Sequence, residues 1–141
     1  MKNSGRLVKI ASNQMIRSLD DFAKQFDLTW TQMSVIDYLG HQVNCTQKQI
    51  EQEFYIQRST ATVMLQRLEK RGLIYRETCP DDERQKLVSL TKNAYPLLKE
   101  VEHFMQVNQA DFEAHFTPTE ILIFEKVMQY FIERGHKNEK N

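Results

Sequence analysis

The amino-acid sequence predicts a mainly α-helical fold with one small β-hairpin, and three features carry this prediction. Apolar residues recur at three- and four-residue intervals through most of the chain, which is the spacing of one face of a helix. Residues 29–32, 46–49 and 117–120 each read Thr-x-x-Gln or Thr-x-x-Glu, the pattern of a capped helix start. Two β-prone stretches, 73–78 and 86–90, flank a loop of turn-forming residues and predict the hairpin.

Length and composition favour one domain spanning residues 1–141. The chain has 141 residues with 40% hydrophobic content, enough for a single core. Its 19 basic and 19 acidic residues balance, so the overall charge indicates neither a polyanion nor a membrane as partner. No apolar run approaches the roughly 20 residues of a membrane span, and the N-terminus lacks a signal-peptide core. We therefore expect a cytoplasmic protein with no membrane partner.

Three helices are expected before the middle of the chain. Residues 7–26 carry a long amphipathic stripe, which predicts the first helix. Thr29 caps a second helix that runs to about Leu39, where Gly40 can end it. Thr46 caps a short third helix through about Phe54. The first helix presents Leu7, Ile10, Met15, Leu19, Phe22 and Phe26 on its apolar face.

A fourth helix follows after a turn of only a few residues, which is a helix-turn-helix arrangement. It covers about residues 58–71 and carries a net charge of +3 in a neutral chain. Gly72 can stop it in a left-handed conformation. The predicted buried stripe is Ala61, Met64, Leu65 and Leu68, and the opposite side carries Arg58, Ser59, Thr62, Gln66, Arg67 and Lys70.

The hairpin and two further helices complete the chain. The hairpin loop spans residues 79–85 and has Arg84 near its tip. Thr91 can cap the fifth helix, whose start is expected to be irregular because Pro96 fits only the first turns. Pro118, at the first helical position after a Thr cap, opens the last helix, which is expected to fade near Gly135.

These residues resemble the MarR family of winged helix-turn-helix transcriptional regulators. The matching segments are residues 28–32, 58–62, 68–74, 82–84 and 86–91, so the resemblance covers nearly the whole chain. It implies a winged helix-turn-helix DNA-binding lobe over about residues 28–92. It also implies N- and C-terminal dimerisation helices, over about residues 5–27 and 92–135, that make a homodimer.

The resemblance further implies double-stranded DNA as a partner, read as a pseudo-palindrome in the major groove by residues 57–66. Arg84 is expected to enter the flanking minor groove, with Asp82 orienting it. Repression is the commoner outcome in the family. The DNA-binding residues predicted in this way are Gln57, Arg58, Ser59, Thr60, Thr62, Gln66, Arg67, Arg84 and Lys86.

A small aromatic or apolar effector is a further partner that the resemblance implies. In the family such ligands often lie between the DNA-binding lobe and the dimerisation helices, where Met15, Trp30 and Met33 could line a crevice here. Methionines and aromatic residues at helical spacing are equally typical of an ordinary core. Both interpretations remain open at this point.

Other functional classes have weaker support in the sequence. There is no Gly-x-Ser-x-Gly, no Gly-rich phosphate loop and no His-Glu-x-x-His, so we expect no enzyme activity and no cofactor. The histidines are scattered without a His-x-x-x-His pair, and no metal site is expected. Cys45 lies just before a helix cap and Cys79 in the wing loop, so either thiol could be redox-active, although a passive role is favoured. Two alternatives remain: a winged-helix protein-interaction module that does not bind DNA, and a cysteine- or metal-responsive regulator.

Overall fold

The computed structural model describes residues 2–140, and the side chains of residues 2–135. It forms two compact units, one ending at Glu102 and one beginning at His103. The prediction of a mainly helical chain with a small sheet is confirmed. The elements in order are α1 (Ser4–Lys24), α2 (Trp30–Gly40), β1 (Cys45–Thr46), α3 (Gln47–Phe54), α4 (Arg58–Lys70), β2 (Ile74–Cys79), β3 (Asp82–Leu90), a 3₁₀ turn (Lys92–Ala94), α5 (Tyr95–His115) and α6 (Pro118–Lys140).

The three predicted helix starts are capping boxes. The Thr29 hydroxyl accepts from the Gln32 N–H at 3.2 Å, and the Gln32 side chain accepts from the Thr29 N–H at 2.9 Å. Thr46 and Thr117 make the same reciprocal pair of bonds with the residues three positions later. Each box satisfies two of the amides that a helix start leaves without partners.

The apolar stripe of α4 is buried as predicted, and it joins the core of the first unit. Ala61, Leu65 and Leu68 are fully buried, and Met64 is 9% exposed. The turn before α4 is short because Tyr55 adopts a left-handed conformation, with φ 53°, directly after α3. The other fully buried large side chains of this core are Met33, Val35, Ile36, Ile50, Ile74, Val88 and Val101.

Gly72 ends α4 in the left-handed conformation that the sequence predicts, with φ 74°. Its N–H donates to the Glu69 carbonyl at 2.9 Å, and the Leu73 N–H donates to the Leu68 carbonyl at 3.0 Å. These two bonds form a Schellman motif, which turns the chain out of α4 and into β2.

The wing has three strands rather than the two that were predicted. The order is β1-β3-β2, with Cys45 opposite Val88 and all strands antiparallel. The hairpin is also longer than expected, because β3 begins at Asp82 and leaves only residues 80–81 at the tip. The prediction that Arg84 lies in the loop was therefore wrong. It lies in β3, at a register shift where residues 83–85 have no partners on β2.

The predicted end of α2 agrees with the structure within one residue, whereas the predicted cap of α5 does not. Gly40 is the last residue of α2, and a Cβ at this position would lie 2.7 Å from the Leu98 methyl groups. Its missing side chain therefore allows α2 to approach α5 closely. Thr91 does not cap α5, because its hydroxyl donates instead to the Gly72 carbonyl. The irregular start of α5 is confirmed by the 3₁₀ turn that precedes Tyr95.

The second unit contains the end of α5 and all of α6. The helix α6 continues to Lys140 rather than fading near Gly135. The Phe112 ring packs against those of Phe116 and Phe124, with centroids 5.3 and 5.5 Å apart. Many large apolar side chains of α6 are nevertheless exposed in the single chain, namely Leu122, Ile123, Phe124, Val127, Tyr130 and Ile132.

Gly72→Ala should destabilise the fold by about 1–2 kcal/mol, because a Cβ disfavours the left-handed backbone. Steric overlap is not the cause, since the nearest atom to an added Cβ, Asn93 Nδ2, is 3.6 Å away. Urea unfolding at a fixed protein concentration would measure the change. Gly135→Ala is the matched control: it lies inside α6 with open space around it, so it should be neutral or stabilising. Equal effects of the two substitutions would contradict this account of Gly72.

Candidate nucleic-acid interface

The start of α4 presents exposed polar side chains and has no side-chain cap. Gln57 is the N-cap residue, but its side chain makes no capping hydrogen bond. The first amides of α4 therefore remain available to an external acceptor, and the helix dipole favours a negative one. Of the predicted DNA-binding residues on this helix, Thr62 is half-buried, and the others are exposed: Gln57, Arg58, Ser59, Thr60, Gln66 and Arg67.

One side of α4 faces a basic crevice between α3 and the wing, with a volume of about 610 Å³. Four of its lining residues are basic and one, Glu51, is acidic. The crevice brings together four of the predicted DNA-binding residues, Arg58 and Thr62 of α4 and Arg84 and Lys86 of β3. The full lining is Gln47, Lys48, Glu51, Arg58, Thr62, Arg84, Gln85 and Lys86. A surface with this excess of positive charge favours a polyanion.

A second crevice, of about 520 Å³, lies between the start of α2 and the opposite side of α4. It contains Ser59, Thr60 and Arg67 from the predicted set. It also contains Val63, which is 47% exposed although it is apolar. Short polar side chains such as these can hydrogen-bond to base edges in the major groove of DNA. An accessible methyl group can contact the methyl group of thymine there.

Thr62 is tied to a residue that the sequence analysis missed. Its hydroxyl donates to the Arg58 carbonyl at 2.9 Å and accepts from Gln47 Nε2, also at 2.9 Å. The bond to Gln47 fixes the direction of that amide in the basic crevice. Gln47 and Lys48 gave no sequence signal, because they reach the crevice only when the start of α3 packs beside α4.

In the wing, Asp82 bonds to the backbone of Arg84 rather than to its side chain. Asp82 Oδ1 accepts from the backbone N–H of Arg84 at 3.0 Å, so the prediction that Asp82 orients the guanidinium directly is corrected. Among residues 2–135, no carboxylate oxygen lies within 4.0 Å of the Arg84 guanidinium. Lys86 Nζ donates to Thr78 Oγ1 across the hairpin at 3.0 Å.

Two other arginines near the interface have structural contacts. Arg76 Nη2 lies 3.1 Å from Glu69 Oε1, and this hydrogen bond lowers the pKa of the Glu69 carboxyl. The contact joins β2 to α4. Arg71 donates to the carbonyls of Phe26 and Asp27, at 3.0 and 2.7 Å, and so joins the end of α4 to the turn after α1. Arg71, one of the four basic residues counted in residues 58–71, therefore has a structural contact within the fold.

The environment of Cys45 does not resemble that of a reactive thiol. The side chain is 2% exposed, and burial raises the pKa of the thiol rather than lowering it. Its Sγ donates to the Thr46 carbonyl at 3.5 Å, so the thiol does not point at the amides of α3. Cys79 is half-buried at the end of β2.

The three predicted effector-pocket residues have different surroundings. Met15 is 64% exposed on α1, whereas Met33 is fully buried in the core. Trp30 is half-buried and packs edge-on against Phe22, with ring centroids 6.5 Å apart. Neither crevice beside α4 includes them. Their packing is that of core and surface residues, and an effector pocket at this place stays a prediction.

Known proteins resemble this chain in both sequence and fold. Residues 26–85 match the MarR family model. The crystal structure of the transcription regulator MarR from Oenococcus oeni is 43% identical, with 93% of this chain and 99% of that one aligned and a TM-score of 0.76. The organic hydroperoxide resistance regulator of Bacillus subtilis is 32% identical over 94 residues, 67% of this chain and 63% of that protein.

The fold also matches a Staphylococcus aureus MepR–DNA complex, with a TM-score of 0.87, 23% identity and 95% and 99% of the two chains aligned. Helices, wing and sequence thus agree on one class of protein, the winged helix-turn-helix regulators. The chain belongs to the MarR family of transcriptional regulators. The aligned segments cover about three fifths of the curated relatives' own lengths, 63% in one and 58% in another.

The helices in the described part of the chain contain no apolar stretch of the length that a membrane span requires.

The hydrogen bond between Gln47 and Thr62 predicts energetic coupling in DNA binding. Thr62→Val removes the hydroxyl that holds Gln47, so it should weaken specific binding by about 1–3 kcal/mol if Gln47 reads a base edge. Gln47→Ala should then cause little further loss in the Thr62→Val background, whereas Thr62→Ser should preserve binding. A double-mutant cycle on specific DNA would measure this, and strictly additive losses would show that the two residues act independently.

The two cysteines should differ in reactivity. Under native conditions, a thiol reagent such as Ellman's reagent should modify Cys79 faster than Cys45, because the Cys45 thiol is buried and its pKa is raised. Labelling kinetics of Cys79→Ser and Cys45→Ala would assign each phase. Faster modification in the variant that retains only Cys45 would contradict the passive role given to this residue.

Proposed function

We propose that this protein is a homodimeric, sequence-specific DNA-binding repressor. Each α4 enters the major groove of one half of a pseudo-palindromic operator, and each wing brings Arg84 to the neighbouring minor groove. The amides and polar side chains at the start of α4 contact phosphates and base edges. Release by a small-molecule effector remains a prediction of the sequence resemblance.

The observation that carries this proposal is the basic crevice between α3, α4 and β3. It gathers Lys48, Arg58, Arg84 and Lys86 from three separate elements of a chain with no net charge. Phosphate contacts of this kind position a protein on DNA, whereas sequence is read by groups that reach base edges. Ser59 and Thr60, which line the second crevice on the opposite side of α4, are exposed and short enough for the helix to approach a groove closely.

Exposed apolar helix faces support the homodimer. On α1, the side chains of Leu7, Ile10, Met15 and Ile16 are 46–64% exposed. On α6, Leu122 and Ile132 are 66% and 53% exposed. Apolar faces of this extent commonly mark an interface, and a two-fold dimer is the commonest way to cover them. Two lobes related by a two-fold axis would match the symmetry of a pseudo-palindromic operator.

A mobility-shift assay with the promoter DNA beside the gene distinguishes this function from that of a protein-interaction module. We expect a discrete complex that survives an excess of random DNA. A winged helix that binds only proteins would give no complex, or one that random DNA removes as readily as the specific fragment. Transcription from the same promoter, measured with and without the protein, tests repression.

Arg84→Ala should weaken operator binding on the order of tenfold or more and leave the fold intact, because Arg84 is exposed and makes no ion pair with the described carboxylates. The slope of log affinity against log salt should fall by about 1 for each wing that loses a phosphate-facing charge. Lys99→Ala, on the exposed surface of α5, removes the same charge and serves as the control. If the parent and Arg84→Ala bind operator DNA with equal affinity over a range of salt concentrations, Arg84 of the wing does not contribute to DNA binding.

Leu122→Glu combined with Ile132→Glu should shift the protein towards monomers without unfolding the chain, since both side chains are exposed in the single copy. Burying two carboxylates in an apolar interface is strongly unfavourable. Sedimentation velocity would give the oligomeric state, and circular dichroism would report helix content. Glu125→Gln, on an exposed residue of the same helix, is the control. A parent protein that sediments as a folded monomer at micromolar concentration would contradict the dimer.

A further inference from the structure

Three possible metal ligands meet at the C-terminal end of α2, away from the crevices beside α4. His41 Nε2 lies 3.6 Å from Asp37 Oδ1 and 3.4 Å from Glu102 Oε1. The three ligand atoms all lie within 4.8 Å of one another. Asp37 belongs to α2, His41 follows that helix directly, and Glu102 belongs to α5. All three residues are in the first compact unit.

The distances fit a shared ion better than they fit direct hydrogen bonds. An N–H···O bond is usually about 2.7–3.2 Å long, and both contacts of His41 Nε2 are longer than this. Ligand atoms at about 2.0–2.2 Å from a tetrahedral metal lie about 3.3–3.6 Å from one another. The two measured separations fall in that range. One imidazole nitrogen and two carboxylate oxygens also form a ligand set that zinc accepts.

The backbone around these ligands is held by packing. The absence of a side chain at Gly40 lets α2 approach Leu98 of α5, one turn before Glu102. Val101, next to Glu102, is fully buried in the core. The ligand side chains remain accessible to an ion, because those of His41, Glu102 and Asp37 are 62%, 36% and 25% exposed. Two carboxylates that converge beside an imidazole nitrogen attract a cation.

We propose that Asp37, His41 and Glu102 form a site for a divalent transition-metal ion of the zinc type, with one coordination position left for water. The bound ion joins the end of α2 to α5. Because it binds the folded arrangement and not the dispersed ligands, it raises the stability of the first unit. This site is separate from the proposed DNA interface, and its presence does not depend on DNA binding.

Zinc binding to the full-length dialysed protein can be measured by competition with a chromophoric zinc chelator, with thermal unfolding as a second readout. His41→Gln, Asp37→Asn and Glu102→Gln should each weaken Zn²⁺ binding by at least about tenfold. Each should also remove most of the zinc-dependent rise in melting temperature. These near-isosteric changes at accessible side chains should preserve the fold, which circular dichroism without metal would verify.

Two controls address other zinc ligands in the chain. His115→Gln removes a histidine that, among the side chains of residues 2–135, lies near one carboxylate, that of Asp111 at 3.8 Å, so it should leave the strong binding unchanged. Cys79→Ser removes the more accessible thiol and should also have no effect. The proposal is overturned if the parent protein does not compete for zinc. It is equally overturned if the three ligand variants compete as well as the parent, or if Cys79→Ser abolishes binding.

Discussion

The burial of one stripe of α4 in the core is the constraint on which the rest of the interface depends. Ala61, Met64, Leu65 and Leu68 occupy the core with at most 9% exposure, so the rotation of the helix about its axis is fixed. Because a helix repeats every 3.6 residues, fixing this face also fixes the opposite one. The exposed residues at the start of α4 therefore point outward as a consequence of packing. Substitutions that loosen the stripe would displace every group on the helix that we propose to contact DNA.

The wing is positioned against α4 by several contacts that converge on the end of this helix. Gly72 turns the chain into β2, and its carbonyl accepts from the Thr91 hydroxyl at the far end of β3. Arg76 and Glu69 join β2 to α4 through a charged hydrogen bond. These contacts join both strands of the hairpin to the end of α4. The relative placement of Arg58 and Arg84 is thus a property of the lobe rather than of either segment alone.

Features encoded by local sequence could be predicted, whereas those that depend on distant partners could not. The capping boxes at Thr29 and Thr46 and the left-handed Gly72 follow from residues within one helical turn. The strand Cys45–Thr46 has only two residues and exists because β3 pairs with it, so no local pattern indicates it. The roles of Gln47 and Gly40 could not be predicted either, because they depend on contacts with α4 and α5 respectively. Glu102 is distant in sequence from Asp37 and His41, so no local pattern indicates that these three side chains meet in the folded chain.

The central claim is that α4 and the wing together read a two-fold symmetric DNA site. Selection of binding sites from randomised duplex DNA, followed by a salt titration on the enriched sequence, tests it most directly. The account predicts enrichment of two inverted half-sites about 10 base pairs apart, with affinity that falls steeply as salt rises. Absence of an enriched sequence, or enrichment of a single half-site bound with no dependence on salt, would contradict it.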